Sequence, residues 1–355
     1  MKKSSIQIDL ARGCLLGALI GDAVGARLEF LGRHPSKEDV EEALKMPGGG
    51  VWRVAPGQVT DDGELTLALA QALAGQSKYS VEGVARNYVR WYRSSPFDIG
   101  GTTSNALGGL VPTQAGLAAR ILKQSETYNQ ESKANGGLMR QSGLGIWSAN
   151  VSSQEAIEAA RLDSQLTHPN HSCQWASVAY VMAIRHLMLN PSQGVEAFEV
   201  AYDSVSAGSD EGAAEVRAWL KDAQEGMLPA FHLLAGFVRI AFTHAFFHLL
   251  QGTSYLEALR VTIAGGGDTD TNACIVGGLL GALHGQAGLP VAMVQTLLMC
   301  DTEKGRQRPL WLQANSALEL ADALVARTVM GAPSPHSANR KGTYPTTELA
   351  AGVDV

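Results

Sequence analysis

Two clusters of hard oxygen donors stand out in this sequence. Thr60-Asp61-Asp62 follows the turn-like A-P-G-Q stretch and precedes an apolar helical run, while Asp268-Thr269-Asp270-Thr271 follows Gly265, Gly266 and Gly267 and opens a glycine-punctuated helix. Capping a helix start and complementing its dipole takes one carboxylate or hydroxyl. A run of three or four exceeds that need. In D-T-D-T, alternate aspartates point the same way if the loop is extended, and the preceding glycines leave the backbone free to take a special shape. Oxygen ligands in this number suit hard divalent cations such as Mg²⁺ or Mn²⁺. From spacing alone, a metal site and plain helix capping stand as equal readings, because the clusters lie about 200 residues apart. A third element, G-D-A-V-G-A-R-L-E-F, carries Asp22 and Glu29; by itself Glu29 reads as a solvated acid at a helix end.

The elements that must position these groups are helical. Apolar residues recur at helical spacing over 9–28, 36–46, 62–75, 80–93, 114–123, 153–164, 172–189, 194–206, 211–223, 229–250, 254–263, 271–286, 290–299 and 315–329, and alternating strand patterns are nearly absent. This predicts an all-α fold, a single multi-helix bundle over residues 1–330, followed by an irregular Pro-, Ser-, Thr- and Gly-rich tail at 331–355. Two of the helices carry small residues at every fourth position: Gly13, Gly17, Gly21, Gly25 and Ala273, Gly277, Gly281, Gly285. Interior glycine costs a helix about 1 kcal/mol relative to alanine, so two such ridges predict a close backbone approach at the centre of the fold.

Composition narrows the function. A net charge of −6 excludes a long phosphate-backbone footprint and argues against a nucleic-acid partner. Four scattered cysteines without a C-x-x-C pair read as reduced thiols. The N-terminus lacks a signal-peptide core, and the apolar runs are too short or too interrupted to span a bilayer, so a cytoplasmic protein with no membrane partner is expected.

Five blocks, in order, resemble the signature segments of ADP-ribosylglycohydrolases: G-A-L-I-G-D-A-V-G-A-R-L-E (17–29), T-D-D-G-E-L-T-L-A-L-A (60–70), N-G-G-L-M-R (135–140), S-Q-L-T-H (164–168) and G-G-G-D-T-D-T-N-A-C-I-V-G-G-L-L-G-A (265–282). The resemblance implies an all-α orthogonal bundle with a binuclear Mg²⁺ or Mn²⁺ centre, held by Thr60, Asp61 and Asp62 from one side and Asp268, Asp270 and Thr271 from the other. Glu29 matches the family's mobile glutamate and His168 a histidine beside bound ADP-ribose, while Asn135, Gly136 and Gly137 match a nucleotide-contacting loop. P-F-D-I-G-G-T-T (96–103) resembles a further ligand loop, in which Gly100, Gly101 and Thr102 turn backbone N–H groups toward the diphosphate. Gly63 stands where the family has threonine, which predicts a looser helix start.

The implied chemistry is hydrolysis of the glycosidic bond between ADP-ribose and a modified protein side chain. Glu29 is the expected acid/base. Asp98 is the candidate to hold the guanidinium of a modified arginine, weighed equally against an ordinary turn acid. Serine- or O-linked ADP-ribose is the alternative substrate. A zinc hydrolase is one rival, resting on His168, His171, Cys173, His244 and His248; H-A-F-F-H lacks the glutamate of H-E-x-x-H. The other rival is an immunity-type binder of ADP-ribosylated targets, or of a transferase toxin. Loss of metal ligands would favour it, and none is lost.

Overall fold

A computed structural model describes residues 5–326. The first half of the chain forms α1 (Ser5–Gly25), α2 (Lys37–Ala43), α3 (Asp61–Leu73), α4 (Val81–Tyr92), α5 (Gly101–Leu107), α6 (Leu117–Tyr128), α7 (Ser142–Ser148) and α8 (Ser153–Thr167). The second half adds α9 (His171–Leu189), α10 (Gly194–Ser206), α11 (Glu211–Glu225), α12 (Val238–Gln251), α13 (Tyr255–Ala264), α14 (Thr269–His284), α15 (Val291–Leu298) and α16 (Ala317–Val325). Among the described residues there is no strand, only two isolated bridges, Gly49–Val54 and Ala134–Phe237. No described helix is long and apolar enough to cross a membrane. The tail expected at 331–355 lies outside the described residues.

α1 and α14 form the axis. Both are buried on nearly every side, as a helix enclosed by other helices must be. They run antiparallel with their glycine ridges face to face. A Cβ at Gly13 would overlap the backbone of Gly281 and Gly285, one at Gly17 the carbonyl of Gly277, and one at Gly21 the carbonyl of Ala273. Tyr255 and Tyr180 seal the pair with hydroxyls that donate to the carbonyls of Gly17 (2.8 Å) and Ile275 (2.8 Å). Because the ridges are antiparallel, the C-terminal end of α1 meets the start of α14, where Gly25 packs on Thr269 and Asp270. Replacing Gly17 by alanine should destabilise the protein by about 3 kcal/mol, since a methyl there meets backbone rather than a side chain that can yield. Chemical denaturation of the two proteins side by side measures it, and equal midpoints would contradict this packing.

Three local departures from expectation have physical causes. α5 and α7 do not show in the periodicity. α5 is built of turn-prone Gly, Thr, Ser and Asn. α7 (S-G-L-G-I-W-S) carries two glycines that tertiary packing demands, since a Cβ at Gly145 would lie 2.7 Å from Ile184. The helix expected over 229–250 begins instead at Val238, because residues 236–238 are drawn into pairing with another loop. Asn135 N–H donates to Gly236 O (2.9 Å) and Val238 N–H to Lys133 O (2.9 Å).

Candidate active site

The end of α1, the start of α3, the start of α14 and the loops before α5 and α7 surround one cavity of about 730 Å³. Its lining includes Glu29, Asp61, Asp98, Asp268, Asp270 and Thr271. The 200-residue gap between the two acidic clusters is thus closed by the fold. Oxygens of Asp22, Asp62 and Asp270 lie within 4.8 Å of one another, as do those of Glu29, Asp268 and Asp270, with Asp270 common to both groups. Asp61 is in neither group; its Oδ2 accepts from Gly100 N–H at 3.3 Å, tying α3 to the α5 loop. Thr60 lies behind the surface, fully buried, with its hydroxyl 2.9 Å from Asp22 Oδ1 and 3.1 Å from Asp62 Oδ2.

Asp22, noted in the sequence without a role, proves to be a site residue. It is completely buried and accepts from Thr60 N–H (2.9 Å) and from Gly63 N–H (2.7 Å). With the Thr60 hydroxyl, three donors on one carboxylate make it the anchor that fixes the start of α3 against α1. The looser start expected from Gly63 is therefore not found. A Cβ at that position would lie 2.7 Å from Asp22 Oδ2, so glycine is what lets the carboxylate approach. The available signal was a carboxylate inside an otherwise apolar, small-residue helix, where an unpaired charge is costly.

So many acids in one buried place repel each other. Burial and neighbouring carboxylates push Asp61, Asp62 and Asp270 well above the ordinary range. Burial raises Asp22 to about 7 against the pull of its three donors, and burial with Glu29 nearby raises Asp98 to about 8. Glu29 is raised too, mainly by burial, while hydrogen bonds from Trp52 and with Asp270 hold it down. Asp62 Oδ1 is buried with no hydrogen-bond partner. A buried bare oxygen beside several ionisable ones, with no sulfur and no imidazole in either group, fits a hard divalent cation.

The nucleotide-side residues frame the rest of the cavity. Asn135 N–H₂ donates to Asp268 Oδ2 at 2.6 Å, linking that loop to the acidic floor. Gly136 and Gly137 lie flat on His168, where a Cβ on either would stand 3.1 Å from the imidazole. Burial and the neighbouring Arg140 push His168 down to about 3, so the ring is neutral, with Nδ1 hydrogen-bonded to Thr167 Oγ1 at 2.8 Å. Arg140, itself fully buried, holds Thr167 and pairs with Asp163 at 2.9 Å. On the adjoining wall Gly100 and Gly101 face open space, with nothing within 4 Å of a Cβ built on either, and Thr102 lines the cavity. Arg308 braces that wall by donating to Glu64 of α3 and to the carbonyls of Ser94 and Ser95, just before Phe97 and Asp98.

The histidines of the zinc reading do not assemble. His171 faces Asp210, His244 bonds the Pro229 carbonyl, and His248 bonds Thr253. Among the described residues, no candidate metal group contains a histidine or a cysteine.

The arrangement is that of an all-helical protein whose cavity is lined by carboxylates suited to a hard cation. The family model for ADP-ribosylglycohydrolases matches residues 3–332, and the chain belongs to that family. A putative ADP-ribosyl glycohydrolase of Acanthamoeba polyphaga mimivirus is 30% identical over 84% of this chain and 94% of its own. The ADP-ribosylarginine hydrolase of Pseudomonas putida (strain GB-1) is 29% identical over 90% of this chain and 82% of its own. A solved structure described as an ADP-ribosylglycohydrolase-related protein complex shares the fold, with a TM-score of 0.69 at 23% identity, over 92% of this chain and 100% of that one.

Proposed function

We propose that the protein is a metal-dependent hydrolase that cleaves ADP-ribose from a modified arginine side chain of a protein, working through one catalytic domain over residues 1–330. The observation that carries this reading is the convergence of Glu29, Asp61, Asp268 and Asp270 on one cavity, with Asp22 and Asp62 buried behind it and their oxygens within 4.8 Å of Asp270. Thr60, Asp61 and Asp62 on one side, with Asp268, Asp270 and Thr271 on the other, would hold two divalent cations, Mg²⁺ or Mn²⁺. Bound there, the cations would supply Lewis acidity to the glycosidic bond.

The chain's own groups do the rest. Glu29, whose pKa burial raises above its ordinary value, donates to the departing side chain and then accepts from the entering water, as an acid/base in glycoside hydrolysis does. Gly100, Gly101 and Thr102 receive the ligand on the open wall. Asn135, Gly136, Gly137 and the neutral ring of His168 shape the adjoining one.

Asp98 sets the linkage. It lies half-buried among other acids, so it loses its proton most readily when a cation sits against it, and a guanidinium is such a cation. The relative from Pseudomonas putida, by its name, acts on ADP-ribosylarginine. A charge-assisted pair in this setting contributes about 1.5–3 kcal/mol, so Asp98→Ala should lower kcat/KM on an arginine-linked substrate about tenfold or more. Affinity for free ADP-ribose should change little. Release of ADP-ribose from arginine-linked and serine-linked substrates is the test. Faster cleavage of the serine linkage, or a silent Asp98→Ala, would reverse the arginine assignment.

A further inference from the structure

Trp52 is not among the groups that hold a cation or line the cavity, yet its indole hydrogen-bonds Glu29. Its indole N–H donates to Glu29 Oε2 at 2.5 Å. The ring that carries this donor is fixed from several directions. Its edge meets Phe30, with centroids 6.4 Å apart, and its other side meets Phe97, with centroids 6.2 Å apart. Phe30 follows Glu29 and Phe97 precedes Asp98, so the indole is wedged between the two segments that carry the proposed acid/base and the proposed guanidinium holder.

The loop bearing Trp52 is closed on itself and pinned to the end of α1. Gly49 and Val54 exchange backbone hydrogen bonds at 2.8 and 3.0 Å, leaving Trp52 near the tip of a six-residue turn. Arg27 donates to Gly48 O at 2.8 Å, and Gly50, at φ +68°, lies so near that a Cβ would come within 2.7 Å of the Ala26 carbonyl. Phe30, although 69% exposed, takes a left-handed backbone at φ 52°, an uncommon conformation for a bulky aromatic residue. The backbone that carries the indole is thus tied to the end of α1 through Gly48 and Gly50. The loop's one polar side-chain contact with the acid cluster is this N–H.

We propose that Trp52 is a positioning residue for Glu29, holding Oε2 through the indole N–H so that Oε1 is presented to the cavity. The proposal rests on the acid/base role given to Glu29 above. An indole suits that role because it is a neutral donor with no acceptor of its own, and it orients the carboxyl without adding charge to an already crowded acidic site.

Trp52→Phe keeps the ring between Phe30 and Phe97 and removes only the donor. With Mg²⁺ or Mn²⁺ present, kcat on ADP-ribosyl-arginine protein should fall about tenfold, with KM, Mn²⁺ affinity and melting temperature close to wild type. A packing role alone would move the melting temperature and leave kcat. The decisive measurement is the double-mutant cycle. In a Glu29→Gln background, Trp52→Phe should have no further effect on kcat, because the residue it positions no longer exchanges a proton. If Glu29→Gln is impaired while Trp52→Phe is fully active, or if the two losses multiply, the positioning role is overturned and the assignment of Glu29 stands. If Glu29→Gln turns over at the wild-type rate, the assignment of Glu29 falls and this role with it.

Discussion

Removing divalent cations with a chelator should abolish ADP-ribose release, by about a thousandfold or more, and adding Mg²⁺ or Mn²⁺ should restore it. The expectation follows from crowding. Asp61, Asp62 and Asp270 are buried, and burial plus repulsion from neighbouring acids holds each above the usual carboxylate range, while burial and Glu64 raise Asp22. Without a counter-charge the cluster holds its protons to higher pH than ordinary carboxylates do. A bound divalent cation requires the carboxylates ionised, so binding releases those protons. The sign for stability follows directly. A carboxyl whose folded pKa is raised makes the metal-free fold bind more protons than the unfolded chain, so its contribution is lost as pH rises, through about 7 for Asp22. Cation binding opposes that loss, and the rise in melting temperature on adding Mn²⁺ should therefore grow as pH rises from mildly acidic to neutral. Asp270→Asn removes the one carboxylate common to both groups and should remove activity and the Mn²⁺-induced stabilisation together. Asp61→Asn should weaken both in the same direction. Undiminished hydrolysis by metal-free protein would falsify the cation-dependent reading.

What was legible beforehand follows the range over which each signal acts. The glycine ridges were readable because close helix approach demands an absent Cβ at every fourth residue, a pattern written locally in both partners. They also held more than was taken from them. Once Gly13 pairs with Gly281 and Gly25 with Thr269, the antiparallel sense forces the end of α1 onto the start of α14. That juxtaposition by itself brings Glu29 toward Asp268 and Asp270. The acidic clusters were readable as donor types but not as neighbours, since nothing in T-D-D records what faces it 200 residues away. Asp22 was on view in G-D-A-V-G, but the three hydrogen bonds it takes from residues 60 and 63 exist only in three dimensions. Trp52 and Arg308 are harder still. Each acts through a side-chain contact across a long loop, and an indole or guanidinium in an irregular stretch has no periodicity to mark it. The misplaced start of α12 has the same origin, because the apolar pattern from 229 is helical while the backbone at 236–238 is bonded to another loop.

Glu29→Gln should lower kcat by about a hundredfold to a thousandfold, the range for loss of a general acid/base, while Mn²⁺ affinity and ADP-ribose affinity stay within a few-fold of wild type. The substitution is close to isosteric. The amide oxygen can still accept from Trp52 N–H, so the side chain has reason to stay where it is. What it cannot do is exchange a proton. Burial is the main influence on the Glu29 carboxyl and keeps it protonated beyond the usual range, which suits it to give a proton to the departing side chain. The acid form exists below that raised pKa, so kcat should decline as pH rises through it, and the decline assigned to Glu29 should be missing in the variant. Glu29 also lies within 4.8 Å of Asp268 and Asp270, and this proximity makes the binding controls essential. If the residue served mainly to hold a cation, Mn²⁺ affinity and kcat would fall together, and higher Mn²⁺ would restore turnover. If it serves as the acid/base, saturating Mn²⁺ leaves the loss in place. Titrating Mn²⁺ into the variant while following ADP-ribose release separates the two, and recovery at high Mn²⁺ would remove Glu29 from the proton-transfer step.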